Sequence, residues 1–319
     1  EADLVEEVAR IASLTKLQSQ PLPRTGGAAF RSVLTPAQRR TGRVRRALAA
    51  QGLNECVTYS FIGGKEAALF GGGGAAMALD NPISSDLSHM RPSAVPHLLA
   101  AAARNQARGA ETVALFEVGP GFHGPEPGEQ TEQAAVLRTG VTAPREWTGA
   151  RRAVDAFDAR ADAEALLAAC GVAVDKVQVT REAPGWFHPG RSGAIKLGPK
   201  ATLAVFGELH PRVLEALDVK GPAVACLADL DAIPLPRAKG ATRPALDAPD
   251  LQAVERDFAF VVDAQVEAAA LVRAALGAEK KHIVAATVFD VFDGVKAAAQ
   301  LGAGRKSVAL SVRLQPRNK

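Results

Sequence analysis

Between Val177 and Glu208 three short apolar runs, Val177–Thr180, Gly193–Leu197 and Thr202–Glu208, follow one another with only turn sequences between them, Pro184-Gly185, Pro189-Gly190 and Gly198-Pro199. Parallel neighbours in a sheet need a long crossover, usually a helix, whereas antiparallel neighbours close through a tight turn. There is no room here for a crossover. The runs therefore predict an antiparallel sheet, and helical patterns elsewhere place it in an α+β domain. At 319 residues, 47% hydrophobic and 23% charged, the chain is long enough for two domains. It contains no run of about 18 apolar residues, and its acidic start, Glu1-Ala2-Asp3, lacks the basic and apolar regions of a signal peptide. A cytoplasmic chain is expected. Cys56, Cys170 and Cys226 are far apart in sequence, with no thiol or histidine at metal-ligand spacing, and read as small buried hydrophobes in a reducing compartment.

Along the chain, Leu4, Val8 and Ile11 form one helical stripe and Asp3, Glu6 and Glu7 another, so residues 1–30 read as the end of an upstream domain plus a linker from Leu17 to Val33. A core domain is expected over 31–235. It opens on Thr35-Pro36-Ala37-Gln38, a capping box with proline in the first turn, and the helix runs to Gln51 and stops at Gly52. Val57, Tyr59 and Phe61 alternate with Thr58 and Ser60 as a half-buried strand would. Helices over Leu98–Arg108 and Ala153–Ala169 and a strand over Thr112–Val118 complete the pattern. Prolines at 234, 236, 244 and 249 mark a linker over 236–250. The last domain, 251–319, reads strand (Asp257–Val262), helix (Val266–Gly277), strand (Ile283–Phe292), glycine-containing loop, strand (Lys306–Leu314). That is the first two-thirds of a ferredoxin-like split βαβ unit, with the final helix and strand missing.

The net charge of +4 is too small to demand a polyanion partner, but it is unevenly spread. Arg31, Arg39, Arg40, Arg43, Arg45 and Arg46 fall in one stretch without an acid, and Arg305, Lys306, Arg313, Arg317 and Lys319 stand unopposed at the end. Such runs are solvated faces or nucleic-acid contacts. Gly119-Pro120-Gly121-Phe122-His123-Gly124 matches a dinucleotide-binding pattern, but Pro125 and Pro127 forbid the helix whose N-terminus would hold the pyrophosphate. No nucleophile elbow, zinc-protease motif or P-loop occurs. His188 and His210, each followed by proline, read as turn and helix-start residues rather than general bases.

Trp186-Phe187-His188-Pro189-Gly190-Arg191-Ser192, followed by Phe206-Gly207-Glu208-Leu209-His210-Pro211, closely resembles a paired signature of the beta subunits of bacterial phenylalanyl-tRNA synthetases. Other strings fall in that family's order: Asp3 to Ile11, Asn81-Pro82-Ile83 with Met90-Arg91-Pro92-Ser93, Leu115 to Gly119, Arg256 to Val262, Phe289 to Gly294 and Lys306 to Leu310. The resemblance implies a C-terminal fragment. Its fold would be a degenerate class II synthetase-like antiparallel sheet with helices, then a truncated ferredoxin-fold anticodon-binding domain. It implies a non-catalytic subunit in a heterotetramer of two alpha and two beta subunits, with the active site on the alpha subunit and ATP used by the complex rather than bound by this chain. It implies tRNA contact through Arg305, Lys306 and Arg313, and a Mg²⁺ site at Asp3, Glu6 and Glu7 shared with the alpha subunit. By pattern alone those three acids read as a solvated, dipole-compensating helix face; oxygen donors of this kind also suit Mg²⁺. The arginine-rich helix and the strand after it resemble the segment class II enzymes use at subunit interfaces, which moves most of that run from nucleic acid to packing.

Active class II sites hold the phosphates of ATP with arginines on a Phe-Arg-x-Glu strand and a Gly-x-Gly-x-x-Arg helix start, because charge develops there during adenylation. Neither string is present, and Phe116-Glu117-Val118-Gly119 carries no arginine. The chain alone should form no phenylalanyl-adenylate; phenylalanine-dependent pyrophosphate exchange by the purified chain would contradict this.

Overall fold

A computed structural model describes residues 1–21, 33–147, 149, 151–235, 245–246 and 248–317. Most of both expected linkers lies outside the described residues. The chain divides into two compact units, Glu1–Lys239 and Gly240–Lys319. In chain order the first contains α1 (Ala2–Ala12), α2 (Pro36–Ala50), β1 (Asn54–Glu55), β2 (Phe61–Ile62), α3 (Gly64–Leu69), β3 (His89–Met90), α4 (Val95–Ala107), β4 (Val113–Phe122), β5 (Gln130–Thr139), α5 (Ala156–Ala169), β6 (Gln178–Thr180), β7 (Phe187–Leu197), β8 (Ala201–Leu209), α6 (Pro211–Ala216) and β9 (Ala223–Asp229). No helix among the described residues is long and apolar enough to cross a membrane.

Seven strands form the main sheet in the order β1-β4-β5-β9-β8-β7-β6, antiparallel throughout except for the short edge pair β1 and β4. The expected antiparallel sheet is present. Its two faces are both covered. Val44 and Leu48 of α2 and Ala159, Ala163 and Leu166 of α5 pack on Phe116, Val118, Ala134, Val136 and Cys226. On the other side Val95, Leu98, Leu99 and Ala102 of α4 pack with Leu115, Ala135, Leu137 and Phe187. Local signals start these helices: Thr35 accepts from the Gln38 N–H at 3.2 Å while Gln38 accepts from the Thr35 N–H at 2.9 Å, and Asp155 and Asp158 repeat the exchange at α5.

The strand expected at 57–61 does not form. Cys56 N–H still reaches the Phe116 carbonyl, but the next donor along, the Thr58 N–H, points to the Glu117 carboxylate at 3.3 Å instead of to a backbone acceptor. The ladder ends there and leaves Val57 and Tyr59 largely exposed. The first four residues of the Gly119–Gly124 string continue β4 in register with β5.

The second unit contains β10 (Val254–Asp263), α7 (Ala268–Ala278), β11 (Ile283–Phe292), α8 (Gly294–Leu301) and β12 (Arg305–Leu314). Its antiparallel sheet runs β10-β12-β11, the strand order of a split βαβ unit with the third strand between the first two. The segment expected as a glycine-containing loop is helical over Gly294–Leu301, with Gly294 and Gly302 at its ends both at positive φ. Val308, Leu310 and Val312 form the buried centre, covered by Leu271, Val272 and Ala275 of α7.

Gly207, inside the signature on β8, has φ of +147°, and a Cβ there would lie 2.5 Å from Ser192 Cα and 2.6 Å from the Arg191 carbonyl oxygen. No side chain fits where β7 bulges against β8. Gly207→Ala should lower the unfolding free energy by about 1–3 kcal/mol, measured by urea denaturation; an unchanged midpoint would contradict the packing described.

Candidate nucleic-acid interface

Cross-strand pairs on an antiparallel sheet share a face. Arg305 lies opposite Asp263 and Arg313 opposite Glu255, on the face that also carries Ser307, Ala309 and Ser311. Lys306 lies opposite Val262, on the other face, beside buried Val308. The strand therefore separates the three basic residues expected to act together. The face with Arg305 and Arg313 also receives Asp257 from β10 and Asp290 from β11, so four carboxylates stand among two guanidinium groups. Arg313 comes within 3.9 Å of Glu255. This face is not a positive patch, and phosphate affinity of the counterion-release kind needs net positive charge.

The aromatic residues are better placed. Phe258 and Phe260 share a face of edge strand β10, with ring centroids 6.2 Å apart and planes 26° from parallel. They are 47% and 42% exposed. Phe289 sits at a β-bulge of β11 and is also exposed, whereas Phe292 pairs opposite Ser307 and is partly buried. Exposed ring faces are what bases stack on. Phe258 and Phe260 lie opposite buried Leu310 and Val308, on the face that α7 packs on, and stay half exposed at the edge of the sheet.

The acidic set lies on α1, whose residues are all solvent-accessible. Glu7 is held by Arg10 in an ion pair. Among the described residues no three side chains of His, Cys, Asp or Glu converge to hold a metal ion, Asp3, Glu6 and Glu7 included. Their donor type suits Mg²⁺, but their arrangement in this chain does not by itself build a site.

Within the first unit the arginine run splits by role. Arg40 is buried and donates to the Leu230 carbonyl at 2.6 Å, and Arg45 pairs with Glu55 at 3.1 Å and donates to the Val118 carbonyl. Arg39, Arg43 and Arg46 face solvent. His188 lies inside β7 rather than in a turn, and His210 is the helix-start residue before α6; each Nδ1 accepts a backbone N–H two residues on, from Gly190 and Arg212. The feature that sequence reasoning missed is a buried polar centre. Arg91, 1% exposed, donates to Glu117, 4% exposed, at 2.7 Å. Arg91 also donates from Nε to the Pro120 carbonyl at 3.0 Å, and the Thr58 hydroxyl donates to the second Glu117 oxygen at 2.7 Å. The only sequence signal for it is an arginine and a glutamate inside otherwise apolar stretches. Glu117 on β4 is thus a carboxylate facing inward.

Comparison with known proteins fits these two units. Residues 23–231 match the family of the phenylalanyl tRNA synthetase beta chain CLM domain, and residues 249–319 match the ferredoxin-fold anticodon binding domain. Similar curated proteins include phenylalanine–tRNA ligase beta subunits of Cereibacter sphaeroides, 60% identical over 316 residues, and Ruegeria pomeroyi, 62% identical over 316 residues. That of Rhodospirillum rubrum is 51% identical over 317 residues. Each match covers 99% of this chain and 39% of the relative, so the chain spans well under half the length of these proteins.

Removing one member of a buried ion pair strands the other charge. Arg91→Ala and Glu117→Ala should each cost about 3–5 kcal/mol, and Arg91→Met combined with Glu117→Leu should cost less than either; denaturation curves of the three variants decide it, and single variants within 1 kcal/mol of the parent, on the order of a surface pair, would contradict it.

Proposed function

The chain belongs to the phenylalanyl-tRNA synthetase beta-chain family, and from that premise we propose that it serves as the non-catalytic part of an ATP-dependent enzyme that attaches phenylalanine to its tRNA in the cytoplasm. The observation that carries the reading is Glu117. It is a buried carboxylate on β4, already neutralised by Arg91, and neither phosphate-binding arginine string occurs in the sequence. Adenylation then belongs to a separate alpha subunit, and this chain contributes assembly and RNA contact to a complex with two copies of each.

For assembly, the extended segment with exposed Val57 and Tyr59 lies beside the α2 arginines, through Arg45–Glu55 and the bond from Arg45 to Val118. An apolar centre rimmed by charge suits a subunit interface. For RNA, the half-exposed Phe258 and Phe260 supply the base contacts with Lys306 on their face, while Arg305 and Arg313 reach the RNA backbone from the other face at the ends of β12. For metal, Mg²⁺ binds Asp3, Glu6 and Glu7 only when another chain supplies further oxygen donors.

The test is to co-express this chain with the alpha subunit, follow co-elution by size exclusion and titrate tRNA. Co-elution and a tRNA shift are expected. Phe258→Ala with Phe260→Ala should weaken tRNA binding more than Arg305→Ala with Arg313→Ala, since each lost stack costs about 1–3 kcal/mol. Glu6→Gln with Glu7→Gln should raise the magnesium concentration needed for assembly. Failure to co-elute under any magnesium concentration would remove the assembly reading, and an undiminished tRNA shift in the aromatic variant would remove the stacking one.

A further inference from the structure

Two surface cavities of the first unit, about 600 and 310 Å³, lie side by side and share Leu87 as a common wall. Val57, Thr58 and Tyr59 line the first and Phe61 lines the second, so a single stretch of chain runs past both; Ile83 stands on the second. Val57, Tyr59 and Ile83 are 92%, 72% and 86% exposed. Large apolar side chains held this far into water around adjoining cavities mark an interaction surface.

The charges of this surface are divided between the two cavities. The first is lined by His97 and Arg104; burial disfavours the charged form of the His97 ring and lowers its pKa, so Arg104 is the cation of that end at neutral pH. The second is lined by Asp80, with Asp86 next to Leu87 in the single 3₁₀ turn Ser85–Leu87, and has no basic residue in its lining. Among the described residues the side chains of Arg104, Asp80 and Asp86 are exposed and make no ion pair or hydrogen bond. A surface that is apolar in the middle, basic at one end and acidic at the other is complementary to itself. Half a turn about an axis near Leu87 lays the basic end of one copy on the acidic end of another, which is the condition for a closed two-fold pair in which both chains use the same patch. A surface of one sign would repel its own copy.

We propose that a second copy of this chain docks on this surface as a two-fold pair, with Leu87 near the axis, the apolar side chains covered and Arg104 of each copy facing Asp80 of the other. Val57 and Tyr59 also belong to the surface assigned above to assembly, so self-pairing and binding of an alpha subunit exclude each other, and the pair is the form of the unassembled chain. The pairing rests on the patch itself and does not need the assembly reading.

Light scattering over a dilution series of the chain alone should show a reversible equilibrium between monomer and dimer. Arg104→Glu and Asp80→Lys should each weaken the dimer by about a hundredfold, because like charges then face each other twice across the axis. Mixing the two variants should restore a dimer of nearly the parent's affinity, since a mixed pair again sets opposite charges against each other at both ends. That recovery also separates a lost contact from a lost fold. Adding the alpha subunit should convert the pair into a complex from which the contact between copies at this patch is gone. A chain that stays monomeric throughout the series, a dimer untouched by either variant, or a mixture no stronger than its components would overturn the pairing, and an alpha subunit that binds without displacing the second copy would overturn the exclusion. A pair that forms and responds to the variants while no alpha subunit binds supports the pairing and removes only the assembly reading.

Discussion

A carboxylate inside a sheet has to be neutralised and hydrogen-bonded, or the strand carrying it cannot be buried. Glu117 imposes that condition on the first unit. It is met by Arg91, by the Thr58 hydroxyl and by the Thr58 N–H, which together draw two distant stretches of chain to one point on β4. The cost falls on 57–60, which leaves the sheet ladder in order to satisfy Glu117. The same arrangement commits Arg91 inward, where it also holds the Pro120 carbonyl, so its charge is unavailable to any ligand at the surface. The charged groups of this strand are spent on each other.

A second clamp works on the opposite face. Arg138 of β5 grips Asp162 of α5 with two bonds, at 2.6 and 2.8 Å, and touches the Gln51 carbonyl at the end of α2. The hydrogen bond with Asp162 raises the guanidinium pKa above its ordinary value against the desolvation that would lower it. Buried pairs of this kind add less to stability than to uniqueness of geometry. The second unit is built differently, around three fully buried side chains on β12 and with aromatic rings left half open on β10.

Much of this fold is legible in the sequence wherever a local rule operates. The capping box at Thr35, the turn between β7 and β8 and the βαβ order of the last unit all follow from nearby residues, whereas the turn expected at Pro189-Gly190 lies inside β7. The central strands β5 and β9 are not legible, for a physical reason: Ala134 to Leu137 and Ala223 to Cys226 are buried on both faces, so their runs have no alternation to betray a strand. The strand read at 57–61 fails for the reverse reason, since the alternation is present but a side chain 59 residues away claims the backbone donor. The basic residues of β12 were readable as a cluster, yet their neutralisation by Asp263 and Glu255 depends on strand register, which one sequence does not display.

Hydrogen exchange at a single amide tests the central place of Glu117 most directly. Thr58 lies between two exposed side chains, Val57 and Tyr59, in a segment without a regular ladder, where amides ordinarily exchange fast. If its N–H is bound to the Glu117 carboxylate, Thr58 should exchange slowly, with protection like that of Cys56, and should lose that protection in Glu117→Gln while β4 and β5 keep theirs. Rapid exchange at Thr58 in the parent chain, or protection unchanged in the variant, would contradict the account.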